Sequence, residues 1–93
     1  MRESESDMPV LSKFYGIVIR MLCARNLSAR FHAIYGESEL VVEISPLRIV
    51  AGQAPARVAD LVLEWAREHQ RELLEAWNRC RLLEAPATIA PLD

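Results

Sequence analysis

The chain has 93 residues, enough for one domain built around a single core. Its 52% hydrophobic content excludes an intrinsically disordered chain, and its 26% charged content is that of an ordinary globular protein. A net charge of −2 excludes a generally basic nucleic-acid coat but leaves room for a local basic face.

The charge is laid out unevenly. Residues 8–57 carry six Lys/Arg against three acids, and residues 58–93 carry four Arg against seven acids. The chain is thus basic in front and acidic behind. The stretch from Lys13 to Gly36 has no acidic residue, holds Lys13, Arg20, Arg25, Arg30 and His32, and contains every Phe and Tyr of the chain. Cations beside aromatic rings suit phosphates, bases or acidic partners.

Taken in order, residues 1–7 read as a disordered leader before a single α+β domain over residues 8–93, with Met8-Pro9 as a second possible start. Residues 1–7 are acidic and polar, the reverse of a secretory leader. The apolar run ending at Ile19 stops at Arg20, far short of a membrane span, so a cytoplasmic protein is expected. Ile17 to Cys23 reads as a well-covered strand, Ala24 to Ala29 as a loop and Arg30 to Tyr35 as a second strand. Gly36-Glu37-Ser38 is a turn into a third strand, Glu39 to Ser45, with Leu40, Val42 and Ile44 on one face. Pro46 ends it, Leu47 to Val50 reads as a short fourth strand, and residues 51–55 read as a turn.

From Ala56 the period turns helical. Val58, Leu61, Val62, Trp65 and Ala66 form one stripe, and Leu73, Trp77 and Cys80, joined by Leu74 and Leu83, form another. Residues 67–72 between them are polar all round, so the pattern predicts either a break near His69 or one long bent helix. Both tryptophans lie on apolar stripes and read as core anchors. Residues 86–93 form a tail whose Ile89 and Leu92 are placed to dock on the core. The predicted architecture is α+β: a small antiparallel sheet of three to four strands followed by two C-terminal helices, or one long bent helix, over one face.

Cys23 and Cys80 are the only cysteines, and their apolar settings read as two buried, reduced, inert thiols. With no CxxC and no Cys/His cluster, neither a metal site nor a cofactor is expected. On a strand, Arg30, His32 and Ile34 share one face, so Arg30 and His32 can act together on a phosphate or carboxylate. Arg20 extends that face and Arg25 lies on the adjoining loop, which makes Arg20, Arg25, Arg30 and His32 the candidate binding residues. His32 is the candidate general acid or base, with Glu37 or Glu43 as its partner and Arg30 steadying a phosphate.

Several blocks recur in a fixed order: Met8-Pro9-Val10, Phe14-Tyr15-Gly16-Ile17-Val18-Ile19, Phe31-His32-Ala33-Ile34-Tyr35-Gly36, Leu61 to Ala66, Leu73 to Trp77 and Ile89-Ala90-Pro91-Leu92. In these the chain resembles the bacterial domain-of-unknown-function family 4160 from Met8 to Leu92, which supports a natural start at Met8. The resemblance implies a small protein whose gene stands beside another small gene, as in toxin–antitoxin-like pairs. It thus points to a protein partner encoded next door, with an anionic ligand or nucleic acid as a second possibility and no membrane. The family usually writes Pro-His-aromatic-His where this chain has Ala29-Arg30-Phe31-His32. Only the last His survives, so this chain's site should prefer an anion over a metal. The expected function is an interaction module, one component of such a pair; the alternative is a small RNA-acting, nuclease-like toxin centred on His32 and Arg30.

Overall fold

A computed structural model describes residues 8–23 and 27–93 of the chain. The expected leader and Arg25 fall outside these residues. The described elements are β1 (Val10–Phe14), β2 (Ile17–Arg20), β3 (Arg30–Tyr35), β4 (Ser38–Glu43), β5 (Arg48–Gln53), α1 (Ala56–Glu68) and α2 (Gln70–Arg81). The strands form one antiparallel sheet in the order β1-β2-β3-β4-β5, with each strand beside its sequence neighbour. Short connections dictate this for β1–β2, β3–β4 and β4–β5: a loop of a few residues can only return the chain alongside the strand it has just left.

The sheet has five strands where three to four were expected. The additional one is β1. Its alternation is hidden by a bulge at Leu11, where the register against β2 shifts between Val10 and Ser12, so Leu11 and Ser12 are both buried in succession. The β1–β2 turn is the two residues Tyr15 and Gly16, both at positive φ (51° and 80°), the twist that a tight hairpin needs. β5 also runs further than expected, through Ala51, Gly52 and Gln53. Gly52 here marks a close approach and not a turn. Its φ is 90°, and a Cβ at this position would lie 2.0 Å from the Glu39 carbonyl oxygen.

One sheet face carries the core. Ile17, Ile19, Phe31, Ala33, Leu40, Val42 and Ile44 point into it, and Val58, Val62, Trp65, Ala66, Leu73, Ala76 and Trp77 meet them from the helices. Trp65 is fully buried, with ring centroids 5.3 Å from Phe14 and 5.8 Å from Phe31. Both tryptophans are core anchors, as their stripes imply. The helical part does break at His69, whose φ of −118° and ψ of 24° leave the helical region. No Gly or Pro causes the break; tertiary contacts mark it. The His69 ring packs on Trp65, and the Gln70 side chain donates to the Ile44 carbonyl at 2.6 Å. Leu83 does not join the α2 stripe. It lies beyond the helix at a φ of 63° and is 95% exposed.

The two edges of the sheet differ. Along β1, the bulged Leu11 offers its carbonyl to the backbone N–H of Ile89 in the tail at 2.8 Å. The next tail residue, Ala90, accepts the Trp65 indole N–H at 2.8 Å, satisfying a buried donor. Ile89 itself is buried, as its apolar character predicts. The other edge, β5, is exposed at all six residues.

Cys23 and Cys80 are not two separate inert thiols. They are joined in a disulfide between the end of the β2 layer and the last turn of α2, with Cα atoms 6.0 Å apart. The pairing was not legible because they stand 57 positions apart and only the packing of α2 on the sheet brings them together. In the chain-entropy view, a bridge closing a loop of that size stabilises the fold by about 4 kcal/mol.

Candidate functional site on the open sheet face

The sheet face opposite the helices is covered by no other described element. Alternation along the strands and the register between them decide which residues share it. One cross-strand row runs Arg20–His32–Val41–Ala51, and the next runs Lys13–Val18–Ile34–Glu39–Gln53. A third row runs Arg30–Glu43–Arg48. Three of the four sequence-predicted binding residues, Arg20, Arg30 and His32, are therefore brought to one face, and Arg25 lies outside the described residues. Phe31 and Ala33 are buried on the other face, and Tyr35 is exposed at the strand end.

Each of the three has an intramolecular partner. Arg20 donates through one terminal nitrogen to the Met8 carbonyl at 2.8 Å, which anchors the segment leading into β1. His32 Nδ1 donates to Glu39 Oε2 at 2.6 Å. Arg30 donates through Nε and one terminal nitrogen to the carbonyl and hydroxyl of Ser28, at 3.2 and 3.1 Å. A guanidinium carries five N–H groups, so both arginines keep donors for a ligand.

Glu39 was missed as the partner of His32; Glu37 and Glu43 were expected. Glu37 lies in the exposed β3–β4 turn. Glu43 accepts the Ser28 hydroxyl at 2.7 Å and Arg48 Nε at 2.8 Å, and stands directly across from Arg30. The Ser28 hydrogen bond, then that of Arg48 and the nearby positive charges, hold its carboxyl below the ordinary 4.5 despite its partial burial. Register arithmetic could have found Glu39: a hairpin that pairs Tyr35 with Ser38 must set Glu39 against Ile34, diagonal to His32.

The arrangement has two halves. Around Glu43 the charges are matched: an acid bracketed by Arg30 and Arg48 on the two neighbouring strands. Around His32, an imidazole held by a carboxylate faces a guanidinium across one strand pair. Glu39 fixes the imidazole through one nitrogen and leaves the other for proton transfer or for an anion. Among the described residues, no group of three or more His, Cys, Asp or Glu is placed to hold a metal ion. No described helix is long and apolar enough to cross a membrane.

Compared with known protein families, residues 16–78 match Domain of unknown function (DUF4160). The chain belongs to this family. The DUF4160 span runs from the β1–β2 turn through most of α2. It contains Arg20, Arg30, His32 and Glu39 and the whole of β5, and it leaves out β1 and the tail that closes over β1. No curated protein and no solved structure matched the chain.

Proposed function

We propose that this DUF4160 domain is an interaction module, one component of a toxin–antitoxin-like pair, and that it takes its protein partner at the free edge of β5. The observation that carries this reading is the state of that strand. All six of its residues are exposed, and Ile49, Val50 and Ala51 at its centre include neither charge nor proline. An edge without such blocking residues is a template for an added strand, in which main-chain hydrogen bonds give affinity and alternate side chains give selectivity. The Arg20/Arg30/His32 face lies on the same sheet and supplies a second surface, for an anionic group of the partner.

The test is expression of the chain with and without the product of the neighbouring gene, scoring co-purification and growth together. The complex should form, survive His32→Ala and be lost with the double substitution Ile49→Lys, Val50→Lys. A complex indifferent to the β5 double variant would sink the edge reading.

A second reading, an RNA-acting enzyme, draws on one specific observation: the imidazole–carboxylate pair His32–Glu39, with Arg20 across the strand pair. On this reading His32 moves the proton, Glu39 orients it, and Arg20 and Arg30 hold phosphate. The chain expressed alone should then arrest growth, and His32→Ala with Arg30→Ala should relieve the arrest. RNA affinity should also fall steeply with salt. No arrest and a flat salt response would remove this reading.

A further inference from the structure

We propose that the Cys23–Cys80 disulfide is a redox-sensitive latch, which a dithiol reductant opens in the folded protein to free the last turn of α2 from the sheet. Three observations carry this. First, Cys80 is the one residue between Asn78 and Ala85 that is not exposed. Leu82 and Leu83, the apolar side chains that could have anchored this turn, are instead 69% and 95% exposed. Beyond Trp77, the helix end is therefore held to the sheet through Cys80 and its bond to Cys23.

Second, the bond is reachable. Both cysteines line an open surface groove of about 530 Å³, together with Pro9, Leu22, Leu83 and Pro86. Disulfides accessible to a thiol are the labile ones, whereas those sealed in a core persist. Third, each end of the bond belongs to a segment with its own local structure. On the helix side, Leu83 and Glu84 close the turn by donating to the carbonyls of Cys80 and Arg79. On the sheet side, the Met21 N–H, two residues before Cys23, donates to the Pro9 carbonyl, and the entry to β3 is held separately by Ser28 on Glu43 and by Ala29 accepting the Ile44 N–H. Opening the latch releases the helix end while the β3–β4 pairing and the Trp65 core stay in place.

The chemistry balances as ordinary thiol–disulfide exchange. A thiolate of the external dithiol attacks one sulfur of the bridge. The Cys23–Cys80 bond breaks, a mixed disulfide forms and the other cysteine leaves as a thiolate. The second thiol of the reductant then attacks its own sulfur in the mixed disulfide, and the remaining cysteine leaves as a thiolate. The protein gains two electrons and two protons, and the reductant leaves as a cyclic disulfide.

The experiment uses the full chain, purified without reductant, with dithiothreitol as the probe. Thiol titration in denaturant should find no free cysteine before treatment and a full pair after it. Under native conditions the reduction rate should rise in proportion to reductant and exceed the rate of global unfolding. Amide exchange should then show protection falling about tenfold or more at residues 78–84, with β3 and β4 unchanged. Removing the reductant and adding oxidised glutathione should restore it. The substitution of both cysteines by serine should reproduce the reduced pattern; if that variant does not fold, the reduced wild type provides the same measurement. Free thiols at the start, reduction that saturates at the unfolding rate, or protection lost evenly along the chain would each overturn the latch.

Discussion

The two edges of the sheet face the same physical problem and meet it differently. An edge strand exposes unpaired backbone groups that invite another strand. On the β1 side the chain deals with this itself: a bulge turns Leu11 toward the tail, Ile89 bonds to it, and Ala90 caps the indole of Trp65. On the β5 side every residue is exposed. β5 has a bulge too, between the Val41 and Val42 pairings, but there no described segment covers the strand. The contrast teaches that β1 and the tail are a structural seal, whereas β5 is an edge that no described part of the chain closes.

The largest effect should come from breaking the seal. Truncation after Ala87 removes the burial of Ile89, the partner of the Leu11 carbonyl and the acceptor of the Trp65 indole. Lost burial and an orphaned donor together cost about 3 kcal/mol. For a domain of this size that is a drop in Tm of roughly 12–24 °C by thermal denaturation. A truncated chain that melts with the full one would show that the tail seals nothing.

Gly52→Ala comes next and probes the close approach of the β5 backbone to Glu39. The new Cβ would meet the Glu39 carbonyl oxygen at 2.0 Å, and the φ of 90° adds strain of its own. The expected cost is about 2 kcal/mol, read by urea denaturation. By contrast, Val50→Lys on the same strand should stay within about 0.5 kcal/mol of the parent, because Val50 is 39% exposed. That pair of results would separate stability from partner binding on one strand, since Val50→Lys should weaken co-purification while leaving the melt unchanged.

Glu43 gives the comparison a pH axis. Its folded pKa lies below 4.5, so its contribution is present above that value and is lost as the pH falls below it toward the folded pKa. Glu43→Gln should lower the Tm at neutral pH and flatten the loss of Tm on acidification below about pH 4.5. Equal acid sensitivity in parent and variant would show that the Ser28–Glu43–Arg48 contacts contribute nothing.

The sequence made the central part of this fold legible for identifiable reasons. Arg30 to Tyr35 alternates because Phe31 and Ala33 face the core, Leu40, Val42 and Ile44 keep the same period in the next strand segment, and the helix stripes follow the core contacts of Val58, Val62, Trp65, Leu73 and Trp77. The same alternation brought Arg20, Arg30 and His32 to one face. What failed were features in which a local signal has two physical meanings. Gly52 reads as a turn residue but serves a close backbone approach, and the β1 bulge erases the period of two that identifies a strand. The disulfide and the His32–Glu39 pair depend on tertiary packing and register, which no single segment contains.

The smallest effect tests the seal from within. Ser12 is buried just after the β1 bulge, and its hydroxyl is the one buried side-chain polar atom without a hydrogen-bond partner among the described residues. Tail residues Thr88, Ile89 and Pro91 border the same surface depression as Ser12. A buried hydroxyl without a partner is a net cost, so Ser12→Ala should raise stability by up to about 1 kcal/mol in the full chain. If the tail is what keeps water from Ser12, the gain should vanish in the chain truncated after Ala87, where the hydroxyl is hydrated. The substitution and the truncation should therefore be non-additive in a double-mutant cycle. Additive effects would mean that Ser12 is buried by the sheet alone, and the seal would then be reduced to the contacts of Ile89 and Ala90.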